Sequence, residues 1–119
     1  MPSAAASELA REDVVLIRFP FTDLSGDRLR PAVVVGRPIA DDVLVAFVTS
    51  RPDVMDAGAE HALVPEDREF AMTGLKVASR VRLNKLATLH RALVRRRLGR
   101  VGPRTRRAMD QALRDVLDL

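Results

Sequence analysis

Three observations in the sequence predict a mostly β, α+β fold in which about five to seven short strands are closed by a C-terminal helix. Runs rich in β-branched residues, "VVLIRF", "AVVVG" and "VLVAFVTS", recur between clusters of Gly, Pro, Asp and Ser. At 119 residues the chain has room for one hydrophobic core and not for two. Only the C-terminal segment carries apolar residues at clear helical spacing.

The first strand runs from Val14 to Phe19 and ends at Pro20. A loop through "TDLSGD" follows, with Ser25-Gly26-Asp27 as turn chemistry. Pro31 opens the second strand, "AVVVG", at a first-residue position where its missing N–H does least harm. Asp41 and Asp42 turn the chain into "VLVAFVTS", whose continuous apolar character implies burial on both faces. "RPDVMDAGAE" reads as a surface loop, "HALV" as a short strand, and "PEDREFAMTG" as a loop or a turn of helix stopped by Gly74. "KVASRVRLNKL" alternates small or apolar with basic residues, as a half-exposed strand does, and "HRALVRRRLGRV" continues the sheet. Gly102-Pro103 then opens a helix with proline in its first turn, placing Ala108, Met109, Ala112, Leu113, Val116 and Leu117 on one face. Such an inventory of short strands with one helix is that of an SH3-like or similar small barrel. Residues 12–119 are expected to form the single domain and residues 1–11 a flexible N-terminal extension. The start "MPSAAASELAREDV" lacks the basic and apolar regions of a secretory leader, and no apolar run approaches the roughly 20 residues of a spanning helix. A cytoplasmic location without membrane contact is the expectation.

Charge is informative when mapped along the chain. From Lys76 to Arg107 there are twelve basic residues and no acid, so the remainder holds 20 − 12 = 8 basic residues against all 16 acidic ones. A segment so positive suits a polyanion or an acidic partner protein, or else is a solvated face. Eighteen of the twenty basic residues are arginine, whose planar fork grips phosphate bidentately. The aromatic residues are Phe19, Phe21, Phe47 and Phe70, too few for a base-stacking platform.

Most catalytic motifs are absent. There is no cysteine, and with it no disulfide, thiolate metal site or thiol nucleophile; the chain also lacks G-x-x-x-x-G-K and G-x-S-x-G. The two histidines, His61 and His90, fall in different predicted strands, and nothing in their spacing joins them as a catalytic pair. Chemistry in this chain must use Arg, Thr, Ser, Asn or carboxylates. One feature stands out: Arg30 places a permanent charge at the doorway of a very apolar strand.

The stretches "EDVVLIRFPFTDLSGDRLRPAVVVG", "AFVTS" and "TGLKVASRVRLNKLATL", followed by the amphipathic helix, resemble the PemK/MazF family of toxin endoribonucleases from type II toxin-antitoxin systems. The similarity runs from about Glu12 to Leu119. "RPAVVV" and the "VTS" end of the third strand are its most specific parts, each weak alone and stronger in this order and spacing. The resemblance implies an SH3-like barrel, a homodimer, and metal-independent cleavage of single-stranded RNA. That reaction passes through a 2′,3′-cyclic phosphate and leaves a 5′-hydroxyl.

RNA cleavage by its own 2′-hydroxyl needs a proton acceptor there, a charge facing the pentacoordinate phosphorane, and a proton for the departing 5′-oxygen. By resemblance, Arg30 stabilises the phosphorane, whereas a guanidinium with a pKa above ~12 gives up its proton reluctantly. Thr49 matches the family's threonine and would hydrogen-bond the scissile phosphate. Arg82 matches a further catalytic arginine, but the aspartate that follows two positions later in one branch is Asn84 here. Asparagine can position a phosphate or a base edge and cannot take a proton. That branch's loop histidine also has no counterpart in "TDLSGDRL". Arg28, Ser50 and Lys85 are expected phosphate contacts, Phe21 a stacking surface, and the loop from Pro20 to Leu29 a gate hinged at Ser25-Gly26. The competing structural roles are a salt bridge from Arg30 to Asp23 or Asp27, a plain strand end at Thr49, and core packing for Phe21. The family's usual Gly-Asp opening is Glu12-Asp13 here, a turn difference without catalytic consequence.

The implied partners are single-stranded RNA, a second copy of the chain, and an antitoxin whose acidic, disordered C-terminal segment folds on the basic groove. Two other readings compete: a gyrase-poisoning toxin on the same barrel, whose known type needs a Trp near its C-terminus that this chain lacks, and a non-catalytic RNA- or DNA-binding module.

Overall fold

The structure, a computed structural model, describes residues 9–18, 28–51 and 59–119. Six strands, β1 (Asp13–Arg18), β2 (Leu29–Val34), β3 (Asp42–Thr49), β4 (Glu60–Leu63), β5 (Ser79–His90) and β6 (Val94–Arg100), precede one helix, α1 (Pro103–Leu117). They form a single antiparallel sheet in the order β4-β5-β3-β2-β1-β6. The fold is thus mostly β with a C-terminal helix, as expected, but β4 and β6 are edges and no ladder among the described residues closes a barrel.

The apolar runs bury both faces of this sheet. On one face, Val14, Val33, Ala46, Val48, Val81 and Leu83 pack with Val101 and with Met109 and Ala112 of α1. On the other, Val15, Ile17, Ala32, Val34, Val43 and Val45 pack with Leu89 and Val94. Consecutive residues of β1, β2 and β3 alternate between the two clusters, which is why their sequences read as unbroken apolar runs. Pro31 does not open its strand. It is the third residue of β2 and pairs with Leu16 of β1, while the ladder to β3 begins one residue later at Ala32. The absent donor therefore falls on the side where pairing has not yet begun.

Between β2 and β3 the chain reverses at Ala40-Asp41, with Ile39 and Asp42 exchanging both backbone hydrogen bonds at 3.0 and 2.9 Å. Ala40 sits at φ 51°, a left-handed conformation that disfavours any residue with a Cβ. Ala40→Gly is expected to raise unfolding stability by about 0.5–1 kcal/mol, measured by denaturant titration.

Glu12, immediately before β1, also has positive φ, 86°, and its N–H donates to Val34 O at 2.8 Å. A glycine would meet that conformation without strain. Here the glutamate gains an ion pair instead, with Arg106 of α1 at 2.5 Å. Asp13 is buried, accepts the Ala10 N–H at 2.9 Å and pairs with Arg97 at 3.1 Å. Of residues 1–11, those before Leu9 lie outside the described residues; Leu9 packs against the second core cluster, and Arg11 pairs with Asp110.

The N-terminus of α1 has Gly102 as N-cap and no cap from its own side chain. Glu69, from the preceding loop, supplies it, accepting from Arg104 N at 3.0 Å, Thr105 N at 2.9 Å and Thr105 Oγ1 at 2.8 Å. Asp67 accepts the Glu69 N–H at 2.8 Å and pairs with Arg104 at 2.7 Å. Both carboxyls titrate below their ordinary values, Glu69 chiefly through the Thr105 N–H and Asp67 chiefly through the Glu69 N–H. His61, nearby, is also lowered, by burial, which outweighs the opposing pull of Asp67 and Glu69. For all three groups the folded pKa lies below the unfolded one, so the stability they contribute is present at neutral pH and lost as pH falls. His61 begins this loss below about 6.5 and the carboxylates below about 4. Melting temperature is therefore expected to decline from pH 7 towards pH 3, with Glu69→Gln flattening the acid limb; an unchanged limb would remove Glu69 from this role.

Candidate active site

β2 begins, β3 ends and β5 begins at the same end of the sheet. There Arg28, Arg30, Thr49, Ser50 and Arg51 line a cleft of about 350 Å³, together with Pro31, Val48 and Val77. Four of the sequence-predicted site residues, Arg28, Arg30, Thr49 and Ser50, are therefore brought together from segments about 20 residues apart. Phe21, the proposed gate residues before Arg28, and Asp23 and Asp27 as partners of Arg30 lie outside the described residues.

The register explains the meeting. Ala32 opposes Phe47 across β2 and β3, and continuing that pairing outward by two residues sets Arg30 across from Thr49. Thr49 in turn opposes Arg80 of β5, and Phe47 opposes Arg82. Directly opposed residues share a face, so Arg30, Thr49 and Arg80 stand in one row and Phe47 and Arg82 in the next. The first row spans roughly 10 Å, two interstrand steps of about 4.8 Å each. That is the scale of a phosphodiester and its neighbouring sugar.

The Thr49 hydroxyl accepts the Arg51 N–H at 3.1 Å, a local turn that occupies one lone pair and leaves its proton for an acceptor in the cleft. The guanidinium of Arg80 donates through Nη2 to the carbonyl of Arg51 and so pins the same turn. Glu60 of β4 opposes Arg82, its Oε2 3.5 Å from Arg82 Nε and its Oε1 3.5 Å from Arg80 Nη1. Its side chain is only 10% exposed.

Arg82 thus stands one row behind the cleft rather than in its lining. Asn84 and Lys85 are exposed in a bulge: Arg82 pairs with Phe47 and Leu86 with Ala46, so residues 83–85 have no partner in the β3 ladder. The structure does not bring these two to the cleft. His61 pairs with Val81 near one end of β5 and His90 is its last residue, which rules out a histidine pair.

The segment with twelve basic residues is not one patch. Strand alternation and the helix send its members in different directions, and many meet acids from elsewhere: Arg80 and Arg82 with Glu60, Arg91 with Asp41, Arg97 with Asp13, Arg104 with Asp67, Arg106 with Glu12. Sequence reasoning did not single out Arg51, Arg80 or Glu60. The alternation in "SRVRL" could have placed Arg80 beside Arg82 on one face. Glu60 carried no such signal, because only the β4–β5 register brings it there.

The chain is thus a small antiparallel-sheet domain with one C-terminal helix and an arginine-threonine cleft at its strand ends. A profile of PemK-like, MazF-like toxins of type II toxin-antitoxin systems matches residues 10–117, and the chain belongs to this family. No curated protein matches it significantly by sequence. Among solved structures it is similar to an endoribonuclease in complex with its cognate antitoxin from Mycobacterial species, at 20% identity and TM-score 0.70, covering 93% of this chain and 96% of that one. It is likewise similar to the Mycobacterium tuberculosis toxin MazF-mt6, at 20% identity and TM-score 0.70 over 90% and 97% of the two chains. MazE-MazF from Deinococcus radiodurans matches at 19% identity and TM-score 0.68 over 93% and 97%. At these identities the structural matches establish the fold. Among the described residues no helix is long and apolar enough to cross a membrane.

Proposed function

We infer that this toxin is an endoribonuclease that cuts single-stranded RNA in the cleft between the start of β2 and the end of β3. The observation that carries this reading is the convergence there of Arg30 and the Thr49 hydroxyl, a fixed cation and an oriented donor, on a space open to solvent. The 2′-oxygen attacks phosphorus, the O2′–P bond forms and the P–O5′ bond breaks. O2′ loses one proton and O5′ gains one, so no water is consumed and the product is a 2′,3′-cyclic phosphate with a 5′-hydroxyl. Arg30 faces the charge that grows on the equatorial oxygens, and Thr49 donates to one of them. Arg28, Ser50 and Arg51 bind flanking phosphates, with Arg82, Asn84 and Lys85 engaging more of the strand and Phe21 stacking on a base.

The chain acts in the cytoplasm as a homodimer, with residues 12–119 as its domain, and is silenced by an acidic antitoxin segment. A relative solved with its cognate antitoxin, and the arginines around the cleft, support this partner. The testing experiment incubates purified protein with a mixed-sequence single-stranded RNA in EDTA. Discrete cuts are expected. Intact RNA that is nonetheless bound would replace the enzyme with a binding module on the same fold.

A further inference from the structure

We propose that Glu60 is a positioning residue for RNA cleavage, acting through Arg80 and Arg82; this rests on the nuclease reading above. Two arginines two residues apart on one strand face repel each other and, left alone, would swing into solvent. Glu60 sits across the β4–β5 ladder with one carboxylate oxygen 3.5 Å from each guanidinium, and all three side chains are at most 20% exposed. The carboxylate therefore fixes both forks behind the cleft, where long cationic side chains would otherwise sample many rotamers.

From Arg80 the constraint runs on to the reacting groups. Arg80 Nη2 donates to the Arg51 carbonyl, and the Arg51 N–H donates to the Thr49 hydroxyl. Glu60 thus acts on the position of Thr49 Oγ1 through the Arg80 side chain and the two peptide groups that flank the Arg51 Cα. Asn84, two residues after Arg82, is exposed in the bulge and carries no charge to do this. The neighbouring strand supplies the carboxylate instead.

The test compares steady-state cleavage of a fluorescent RNA by wild type, Glu60→Gln, Glu60→Asp, Arg80→Ala and the Glu60→Gln/Arg80→Ala double variant, with thermal melting of each. Glu60→Gln is expected to lower kcat by about 10- to 100-fold while KM changes less than about threefold, the pattern of misplaced rather than missing groups. Glu60→Asp recovers part of the loss. In the Arg80→Ala background the Gln substitution costs much less, because its effect travels through that arginine. Wild-type kcat in Glu60→Gln, or full additivity with Arg80→Ala, overturns the proposal while leaving the nuclease reading intact. Melting points that fall in step with kcat in both the Gln and Asp variants overturn it in favour of a purely structural ion pair. RNA left uncut by the wild type overturns this proposal and the nuclease reading together.

Discussion

Arg30→Ala is expected to lower kcat for RNA cleavage by about 10²- to 10³-fold, the value of one preorganised donor facing charge that develops in a transition state. The physical reason is placement. Arg30 is the second residue of β2, its backbone held by the pairing with Ile17, so its guanidinium projects from a rigid strand into the cleft beside Thr49. A donor fixed in this way does not reorganise as the phosphorane forms. KM is expected to change less than kcat, because the lost interaction strengthens as charge accumulates. Arg30→Lys keeps the charge and loses the fork, and so restores only part of the rate. Melting within a few degrees of wild type would show that the fold survives, since alanine suits a half-buried position in a strand whose neighbours remain. Unaltered kcat in Arg30→Ala would remove this residue from the chemistry.

The largest expected effect on stability lies far from the cleft, at Gly99→Ala. β6 is an edge strand, and residues 70–74 cover it so closely that a Cβ at position 99 would stand 2.2 Å from the Met72 carbonyl oxygen and 2.6 Å from the Thr73 carbonyl carbon. Both are backbone atoms and cannot rotate aside. From the covering side, Gly74 has φ 75° and would place a Cβ 2.1 Å from the Leu98 carbonyl oxygen. Two glycines thus permit one close crossing of chains that seals a sheet edge. Separating them for a methyl group is expected to cost about 3 kcal/mol, lowering the melting temperature by roughly 10 °C. Gly36→Ala is the control, since its added carbon meets only Leu44 at 3.5 Å, ordinary contact, and should change stability by less than about 0.5 kcal/mol.

Local chemistry is what made parts of this molecule readable from sequence. β1 to β3 followed from β-branched runs and the turn residues between them, the stop at Gly74 from its freedom to adopt positive φ, and α1 from Pro103 and the spacing of Met109 and Ala112. Arg30 was legible as a charge at the doorway of an apolar strand, and its role in the site, like that of Thr49, came from the resemblance of these stretches to the toxin family. The rest depended on pairing between distant segments. The basic block looked like one surface because sequence order conceals faces; alternation along β5 and β6 and the turn into α1 disperse it. Glu12 looked like a harmless change, and only its backbone angle shows what a glycine does there. Glu60 became visible once the β4–β5 register set it against Arg82.

The central claim is that the cleft between β2 and β3 turns an RNA strand's own 2′-oxygen against its phosphate. The most direct measurement is cleavage, in EDTA, of one RNA oligonucleotide containing a mapped cut site, compared with the same oligonucleotide carrying a single 2′-deoxy nucleotide on the 5′ side of the scissile bond. The account predicts a 2′,3′-cyclic phosphate and a 5′-hydroxyl from the first, and no cut at that bond in the second. Equal cleavage of the two, or products ending in a 5′-phosphate, would contradict it.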